Sequence, residues 1–212
     1  QDSDFYYMTG FAEPESVAVL VPGRAHGEYI LFCRENDKEM EIWNGPRAGQ
    51  EGAVSQYDAD DSFPIDDIDD ILPGLLEDKE RVFYTMGANP DFDQQLIGWV
   101  NRLRKQARAG IHTPGEFVSL DHHLHEMRLF KSSAEVKAMR RAAAISVNAH
   151  RRAMQVCRPG MKEYQIEAEL LHTFMMEGAP SSAYASIVGG GVNGCILHYV
   201  ENRAVLKNGD LL

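Results

Sequence analysis

Hydrophobic and polar residues in the first part of the chain alternate in the short runs that are typical of β-strands. Glu15–Val21 and Glu28–Cys33 are rich in β-branched and aromatic residues, and a proline and two glycines lie between them. This pattern predicts a β-hairpin. Two further strands are predicted at Glu41–Trp43 and Arg81–Met86, which have the same composition over shorter lengths.

Helical signals separate these strands. Ser62 is predicted to cap a short helix because the acidic residues Asp66 and Asp67 would then lie in its first turn. Between Asp91 and Arg108 the apolar residues recur at spacings of three and four, which predicts a longer helix. Strands that alternate with helices indicate a layered α/β domain. The stretch Gly110–Leu124 has little periodicity and is predicted to be a linker between domains.

The second part of the chain opens with two long helical patterns. Ser132 or Ser133 is the predicted cap of the first helix, and Glu135 supplies the acidic partner of a capping box. Apolar residues follow at helical spacing between Val136 and Val156. A second helix is predicted over Lys162–Glu177, and the next residue, a glycine, suits the position just beyond a helix end.

Strand-like and turn-like segments occupy the end of the sequence. Ala185–Val188 and Ile196–Val200 are predicted strands on either side of a glycine-rich turn. Asn208-Gly209 is a strong hairpin-turn signal, yet only three residues follow it. Together with the absence of an initial methionine, this predicts that the 212 residues are part of a longer protein, shortened at both ends.

Charge is distributed unevenly along the chain, which carries a formal net charge of -11. Residues 1–124 hold 24 of the 32 acidic and 10 of the 21 basic residues, whereas residues 125–212 have a small positive excess. Such a step favours a domain boundary near residue 124. The acidic first part argues against nucleic-acid binding, which needs clustered lysine and arginine.

Composition also bears on the compartment. Cys33, Cys157 and Cys195 are odd in number and widely spaced, which favours free thiols in a reducing environment. No apolar run is long enough to cross a membrane, and the first residues do not resemble a signal peptide. We therefore expect a cytoplasmic protein that does not bind membranes.

Three segments could be mistaken for ligand sites. Gly189–Gly194 fits a dinucleotide fingerprint in letters, but a predicted strand rather than a helix follows it, so a glycine-rich turn is favoured. The histidine-rich run Asp121–Glu126 does not have the spacing of a metal site, and a solvated linker is favoured. The acidic stretch Asp58–Asp70 lacks the glycine and the final glutamate of a calcium loop. No metal ligand is therefore assigned.

Several motifs, in the same order along the chain, resemble the aminopeptidase P branch of the creatinase, prolidase and methionine aminopeptidase ("pita-bread") superfamily. They are Ser3–Phe11 (SDFYYMTGF), Glu41–Gly45 (EIWNG), His125–Ser132 (HEMRLFKS), Cys157–Met161 (CRPGM) and Val188–Tyr199 (VGGGVNGCILHY). Each motif is weak alone, but together they span nearly the whole chain. The resemblance implies an α/β N-terminal domain at residues 1–124, followed at residues 125–212 by the first part of an α+β pita-bread catalytic domain.

The resemblance also implies a chemistry. Members of the family are metal-dependent aminopeptidases that release the first residue of peptides with proline in second position, and they use two metal ions, usually manganese. In the family two aspartates, one histidine and two glutamates bind these ions. By the resemblance, the first of these aspartates falls just after Leu212. The 212 residues are therefore expected to bind no metal and to be inactive alone.

Three residues acquire expected roles from the resemblance. His198 matches an active-site histidine that helps to hold the substrate and to stabilise the tetrahedral intermediate, although a histidine on a strand is in general more often structural. Trp43 and Arg108 match positions that, in tetrameric members, reach the active site of a neighbouring subunit. The expected partners are thus a peptide substrate and further copies of the chain, in a dimer or a tetramer.

Two alternative functions remain open at this stage. One is a prolidase or a metal-free creatinase-type hydrolase, which has the same fold. The other is a non-catalytic binding module, because pita-bread folds also occur in proteins that only bind partners. The residues that follow Leu212 in the gene would separate these functions, because a metallopeptidase requires the five metal-binding side chains there.

Overall fold

The computed structural model describes residues 2–212. These residues form two compact units, the first ending at Leu129 and the second spanning Phe130–Leu212. The domain boundary at residues 124/125 stays a prediction. Among residues 2–212, no helix combines the length and the apolar character that a membrane span needs.

A three-stranded sheet lies at the centre of the first unit. Its strands are β1 (Val17–Leu20), β2 (Tyr29–Cys33) and β3 (Asp61–Pro64), in that order across the sheet. β1 and β2 are antiparallel, with Val17 opposite Phe32, and the predicted hairpin is confirmed. β2 and β3 are parallel, with Ile30 opposite Asp61.

Strand β2 is covered on both faces. Ile30 and Phe32 point into a larger hydrophobic cluster that includes Trp99 of the long helix of this unit. Leu31 and Cys33 point into a smaller cluster with Phe11. Because successive side chains of a strand point to opposite faces, the continuous apolar sequence YILFC suits a strand buried on both sides.

Helices and a second sheet complete the first unit. The helices are α1 (Ser3–Thr9), α2 (Lys38–Asn44), α3 (Gly49–Tyr57), α4 (Ile68–Leu76), α5 (Pro90–Arg104) and α6 (Asp121–Leu129), with short 3-10 turns at Ile65–Asp67 and Ala107–Ala109. The second sheet pairs β4 (Arg81–Phe83) with β5 (Glu116–Val118) in parallel. The predicted strand at Arg81 and the predicted long helix are confirmed, with α5 ending earlier than expected.

Two predictions for the middle of this unit are wrong. Glu41–Trp43 lies in helix α2, because Asp37 caps the segment by accepting hydrogen bonds from the backbone N–H groups of residues 39 and 40. A local cap of this kind outweighs the β-propensity of three residues. Ser62 lies in strand β3 rather than at a helix cap, and its hydroxyl donates to the carbonyl of Leu31 at 2.7 Å. The predicted short helix itself is present, because Asp66 and Asp67 lie in the first turn of the 3-10 segment that leads into α4.

The predicted linker is also wrong. Gly110–Leu124 contains all of β5 and the first turn of α6. The strand forms because it finds a non-local partner: Phe117 pairs with Val82 in the parallel ladder, and Tyr84 N–H donates to the Val118 carbonyl at 2.9 Å. A three-residue strand is too short to show a periodic pattern. Its pairing with residues 81–83, far earlier in the chain, cannot be read from the local sequence.

Two helices dominate the second unit. α7 (Ser133–Val156) begins with the predicted capping box: Ser132 Oγ accepts from Glu135 N–H, and the Glu135 carboxylate accepts from Ser132 N–H. α8 spans Glu163–Met176 and packs against α7. Both predicted helices are confirmed. The buried cluster between these elements includes Ile166 and Leu206.

The strands predicted after α8 are absent from the described residues of this unit. Ala185–Val188 and Ile196–Val200 are irregular, and a 3-10 turn (Gly191–Cys195) lies between them. The only bridge recorded here joins Lys162 to Val205. Side chains take the backbone hydrogen bonds that a ladder would have made, as described below. Gly209 lies in a turn with a φ of 90°, in agreement with the turn signal.

Candidate functional site

A buried carboxylate stands at the beginning of α8. Glu163 is fully buried, and both of its oxygens accept hydrogen bonds from the glycine-rich segment and the chain after it. Oε1 accepts from Gly190 N–H at 2.8 Å and from Asn193 Nδ2 at 3.0 Å. Oε2 accepts from the Tyr199 hydroxyl at 2.7 Å and from Ala204 N–H at 2.8 Å.

These hydrogen bonds keep Glu163 ionised. Burial alone would raise the pKa of the carboxyl group, but the four donors, led by Gly190 N–H, outweigh it and lower the pKa of Glu163 to about 2. The hydrogen bond between Tyr199 and this carboxylate raises the pKa of Tyr199, because the phenol hydroxyl must keep its proton to donate it. A carboxylate with four donors has no free lone pair, so Glu163 is unsuited to act as a general base.

A second buried polar group, the amide of Asn202, holds the segment that precedes the glycines. Asn202 is 3% exposed and adopts a left-handed backbone conformation with a φ of 49°. Its Oδ1 accepts from Val188 N–H at 3.0 Å, and its Nδ2 donates to the Ser186 carbonyl and to Glu167 Oε2. The amide therefore replaces a partner strand for residues 186–188, which explains why the predicted strand is absent there.

Close packing requires glycine at two positions of the segment. A Cβ atom added at Gly190 would lie 2.4 Å from Leu206 Cδ2, and one added at Gly189 would lie 2.9 Å from the backbone of Asn193. The glycines thus let the segment pack closely against Leu206 and against its own next turn, where a side chain would collide. The dinucleotide interpretation finds no support here, because Gly190 N–H is already bonded to a carboxylate.

His198 lies in a turn, not on the predicted strand, and its side chain is exposed. The next residue, Tyr199, is 9% exposed and points inward to Glu163. The imidazole therefore sits at the outer side of a segment whose inner side is fixed by hydrogen bonds. Such a group is accessible to a ligand and can donate a hydrogen bond to it.

Trp43 and Arg108 lie in the first unit. Trp43 is in α2 and is 82% exposed, next to the equally exposed Ile42. Arg108 is in the 3-10 turn that follows α5, and it is also exposed. Two large apolar side chains that are open to solvent on one short helix are typical of a contact surface. The assignment of both residues to the substrate stays a prediction.

One group of potential metal ligands occurs among residues 2–212. Ligand atoms of Asp4, Asp121 and His125 lie within 4.8 Å of one another, and the last two belong to the histidine-rich run Asp121–Glu126. However, Asp4 already pairs with Arg128, and Thr85 donates to Asp121 at 2.5 Å. A guanidinium group beside the ligands opposes cation binding, so these residues do not fit a two-metal centre.

Sequence patterns do not single out the residues that hold this segment in place: Glu163, Asn193, Tyr199 and Asn202. Asn193 and Tyr199 lie inside a motif that carried the family resemblance, but nothing in their spacing indicates that they meet a glutamate about thirty residues earlier. An acidic residue in the first turn of a helix normally indicates only a favourable helix dipole. Burial distinguishes Glu163, and the sequence does not reveal burial.

Two family models match the chain. Residues 1–84 match the aminopeptidase P N-terminal domain, and residues 137–212 match metallopeptidase family M24. Curated relatives include the Xaa-Pro aminopeptidases of Escherichia coli, 41% identical, and of Haemophilus influenzae, 35% identical. Both alignments cover 100% of this chain, but only 48% and 47% of those proteins. The chain thus spans about half the length of the curated relatives it matches.

Solved structures agree with this result. An aminopeptidase, PepP, of Pseudomonas aeruginosa is 62% identical and superposes with a TM-score of 0.97. The zinc-substituted E. coli aminopeptidase P in complex with product is 41% identical, with a TM-score of 0.95. Each covers 99% of this chain and 48% of the matched chain. The expected fold, an α/β N-terminal domain followed by the start of a pita-bread domain, is confirmed.

Proposed function

Because this chain carries the N-terminal domain of aminopeptidase P and the first part of a metallopeptidase family M24 domain, we propose that it belongs to a metal-dependent Xaa-Pro aminopeptidase. The substrates would be peptides with proline in second position. A proline nitrogen has no N–H and its ring fixes φ, so this bond needs a dedicated pocket. This substrate class is inferred from the curated relatives, which are named Xaa-Pro aminopeptidases.

Within these residues, the proposed catalytic role falls on His198. Its exposed imidazole would donate a hydrogen bond to the substrate and to the oxygen that becomes negative in the tetrahedral intermediate. A donor aimed at a developing oxyanion is a large contribution to catalysis. The observation that carries this role is an accessible imidazole on a segment anchored by the buried Glu163.

The metals belong to the proposal as well. The M24 family match and a zinc-substituted relative support metal dependence, and we propose two manganese ions in the complete protein. When bound, such ions supply a water nucleophile of lowered pKa. The described residues do not fit a two-metal centre, so the ligands are assigned to residues other than these 212, and no step is derived through the ions.

We further propose that the complete protein is a cytoplasmic homo-oligomer, a dimer or a tetramer. The exposed Trp43 and Arg108 would then contact the peptide bound by a neighbouring copy. The exposed apolar surface on α2 supports a contact role, because Ile42 and Trp43 are each 82% exposed.

The test of the proposed function uses two proteins, the 212-residue chain and the full-length protein that contains it. With manganese, the full-length protein should release glycine from Gly-Pro-Xaa peptides, whereas the chain alone should not. A prolidase would prefer the dipeptide Gly-Pro, and a binding module would cleave neither. Turnover by the purified 212-residue chain that increases with manganese would contradict the assignment of the metal ligands elsewhere.

His198→Ala in the full-length protein tests the assigned residue. We expect kcat to fall by roughly 10²–10³, the range for loss of one oxyanion donor, while both metals stay bound. Elemental analysis measures the bound metal, and kcat normalised to folded protein measures the catalytic loss. Loss of metal would identify His198 as a ligand instead, and a normal kcat with two metals bound would remove it from the chemistry.

A further inference from the structure

The carboxylate of Glu163 joins the two ends of a loop in the second unit, residues 190–204. The Gly190 and Ala204 amides begin and end the loop, and they donate to opposite oxygens of Glu163, each at 2.8 Å. Asn193 and Tyr199 donate to the same two oxygens from inside the loop. Glu163 itself lies in the first turn of α8, a helix held by packing against α7. The loop is thereby fixed to a rigid element at four points.

The tightest of these contacts lies next to His198. Tyr199 donates to Glu163 Oε2 at 2.7 Å, and its hydroxyl also accepts from Asn193 Nδ2 at 3.1 Å. Because Tyr199 directly follows His198, fixing the buried phenol fixes the backbone that carries the exposed imidazole. A donor must be held within fractions of an ångström to act on a transition state.

We propose that Glu163 is a positioning residue for His198, and that its carboxylate sets the position of the imidazole through Tyr199 and the loop ends. This inference rests on the proposed function of His198. It adds a residue that the family resemblance did not single out. Glu163 would touch neither the substrate nor a metal ion.

The donor set explains why this residue is a glutamate. An ionised carboxylate only accepts hydrogen bonds, and here four donors surround it. In Glu163→Gln one oxygen becomes an NH₂ group. Wherever it points, it faces a backbone N–H: that of Gly190 beside Asn193 Nδ2, or that of Ala204 beside the Tyr199 hydroxyl. The variant keeps the size of the side chain but loses at least one anchor of the loop.

The primary experiment is steady-state kinetics of Glu163→Gln in the full-length protein. We expect kcat to fall by about 10- to 100-fold, in the range for a donor displaced by about an ångström, with KM changed less than about twofold. Glu169→Gln is the matched control: it removes a charge from the same helix, where Glu169 forms a partly exposed ion pair with Arg152. The control should retain normal kcat.

A double-mutant cycle separates positioning from general stabilisation. If Glu163 acts through His198, then Glu163→Gln should lower kcat little further once His198 is alanine, although it should destabilise both backgrounds equally. Tyr199→Phe removes only the hydroxyl that links the two residues. This variant should lower kcat in the same direction as Glu163→Gln, and it keeps the test decisive if Glu163→Gln folds poorly.

The outcomes distinguish this inference from the proposed function. If His198→Ala lowers kcat but Glu163→Gln and Tyr199→Phe do not, the positioning role is wrong and the proposed function stands. Independent, multiplicative losses in the cycle would also overturn the positioning role. If His198→Ala leaves kcat intact, the proposed role of His198 fails, and the inference fails with it.

Discussion

The two units of the molecule bury different kinds of side chain. In the first unit the sheet strand β2 is enclosed by apolar clusters on both faces, with Phe32 completely buried. In the second unit the interior includes Glu163 and Asn202, which are the buried polar side chains among residues 2–212. Apolar burial is non-directional and contributes mainly stability, whereas a saturated polar network fixes atoms in place.

This difference fits the proposed roles of the two regions. A scaffold tolerates small shifts of its core, because burial depends on area rather than on angle. A loop that presents a catalytic imidazole needs defined geometry, and four hydrogen bonds to one carboxylate supply it. The comparison therefore predicts that substitutions in the first unit change stability, while substitutions around Glu163 also change the loop.

The largest stability effect is expected in the apolar region. Phe32→Ala should destabilise the first unit by about 3–5 kcal/mol, the usual cost of a cavity left by a buried phenylalanine. Urea unfolding followed by tryptophan fluorescence measures it, because Trp99 is buried in the same cluster. Leu20→Ala, at a strand position that is 58% exposed, is the control and should cost less than about 0.5 kcal/mol.

A smaller loss is expected from a steric change in the loop. Gly190→Ala places a methyl group 2.4 Å from Leu206 Cδ2 and should cost about 1–3 kcal/mol, the range for overpacking. Hydrogen exchange of the α8 amides measures the loss in the second unit. Adding Leu206→Val removes the atoms that collide and should recover part of the stability. No recovery would show that the glycine is needed for backbone conformation instead.

In both units, sequence patterns predicted the elements that depend on local signals and missed those that depend on contacts between distant residues. The hairpin, α5, α7 and α8 follow from local periodicity and caps, which depend on neighbouring residues. The loop around Glu163 depends on hydrogen bonds between residues that are 27 to 41 positions apart. The hydrogen bond from Val188 N–H to Asn202 takes the place of a strand that local propensity favoured. The resemblance singled out His198 within this region. The burial of Glu163 and the identity of its hydrogen-bond partners leave no pattern in the sequence.

The second unit should lose stability in acid through one identified group, the carboxyl of Glu163. The pKa of Glu163 is lowered to about 2 in the folded state from an ordinary value of 4.5. The unfolded chain therefore takes up a proton first as pH falls, and the stability that Glu163 contributes above pH 4.5 is lost between about pH 5 and 2.

A comparison of variants isolates this contribution from the many other carboxylates. Hydrogen-exchange protection of α8, measured at pH 6 and pH 3, should fall less in Glu163→Gln than in the parent chain. Glu169→Gln, at a partly exposed position of the same helix, should retain the parent's loss. Equal losses in the parent and in Glu163→Gln would show that the buried carboxylate does not control the acid response.

The smallest effect is expected where the second unit relies on a local signal rather than on its polar network. Ser132 caps α7 by accepting from Glu135 N–H, so Ser132→Ala should cost about 1 kcal/mol, within the range of roughly 0.5–2 for a lost cap. Ser132→Asp keeps an acceptor at the cap and should stay near the parent value, as measured by hydrogen exchange in the first turns of α7. A loss from Ser132→Ala as large as that from Gly190→Ala would mean that the unit depends on its helix ends as much as on its buried contacts. Equal values for the alanine and aspartate variants would instead show that the hydroxyl contributes nothing as an acceptor.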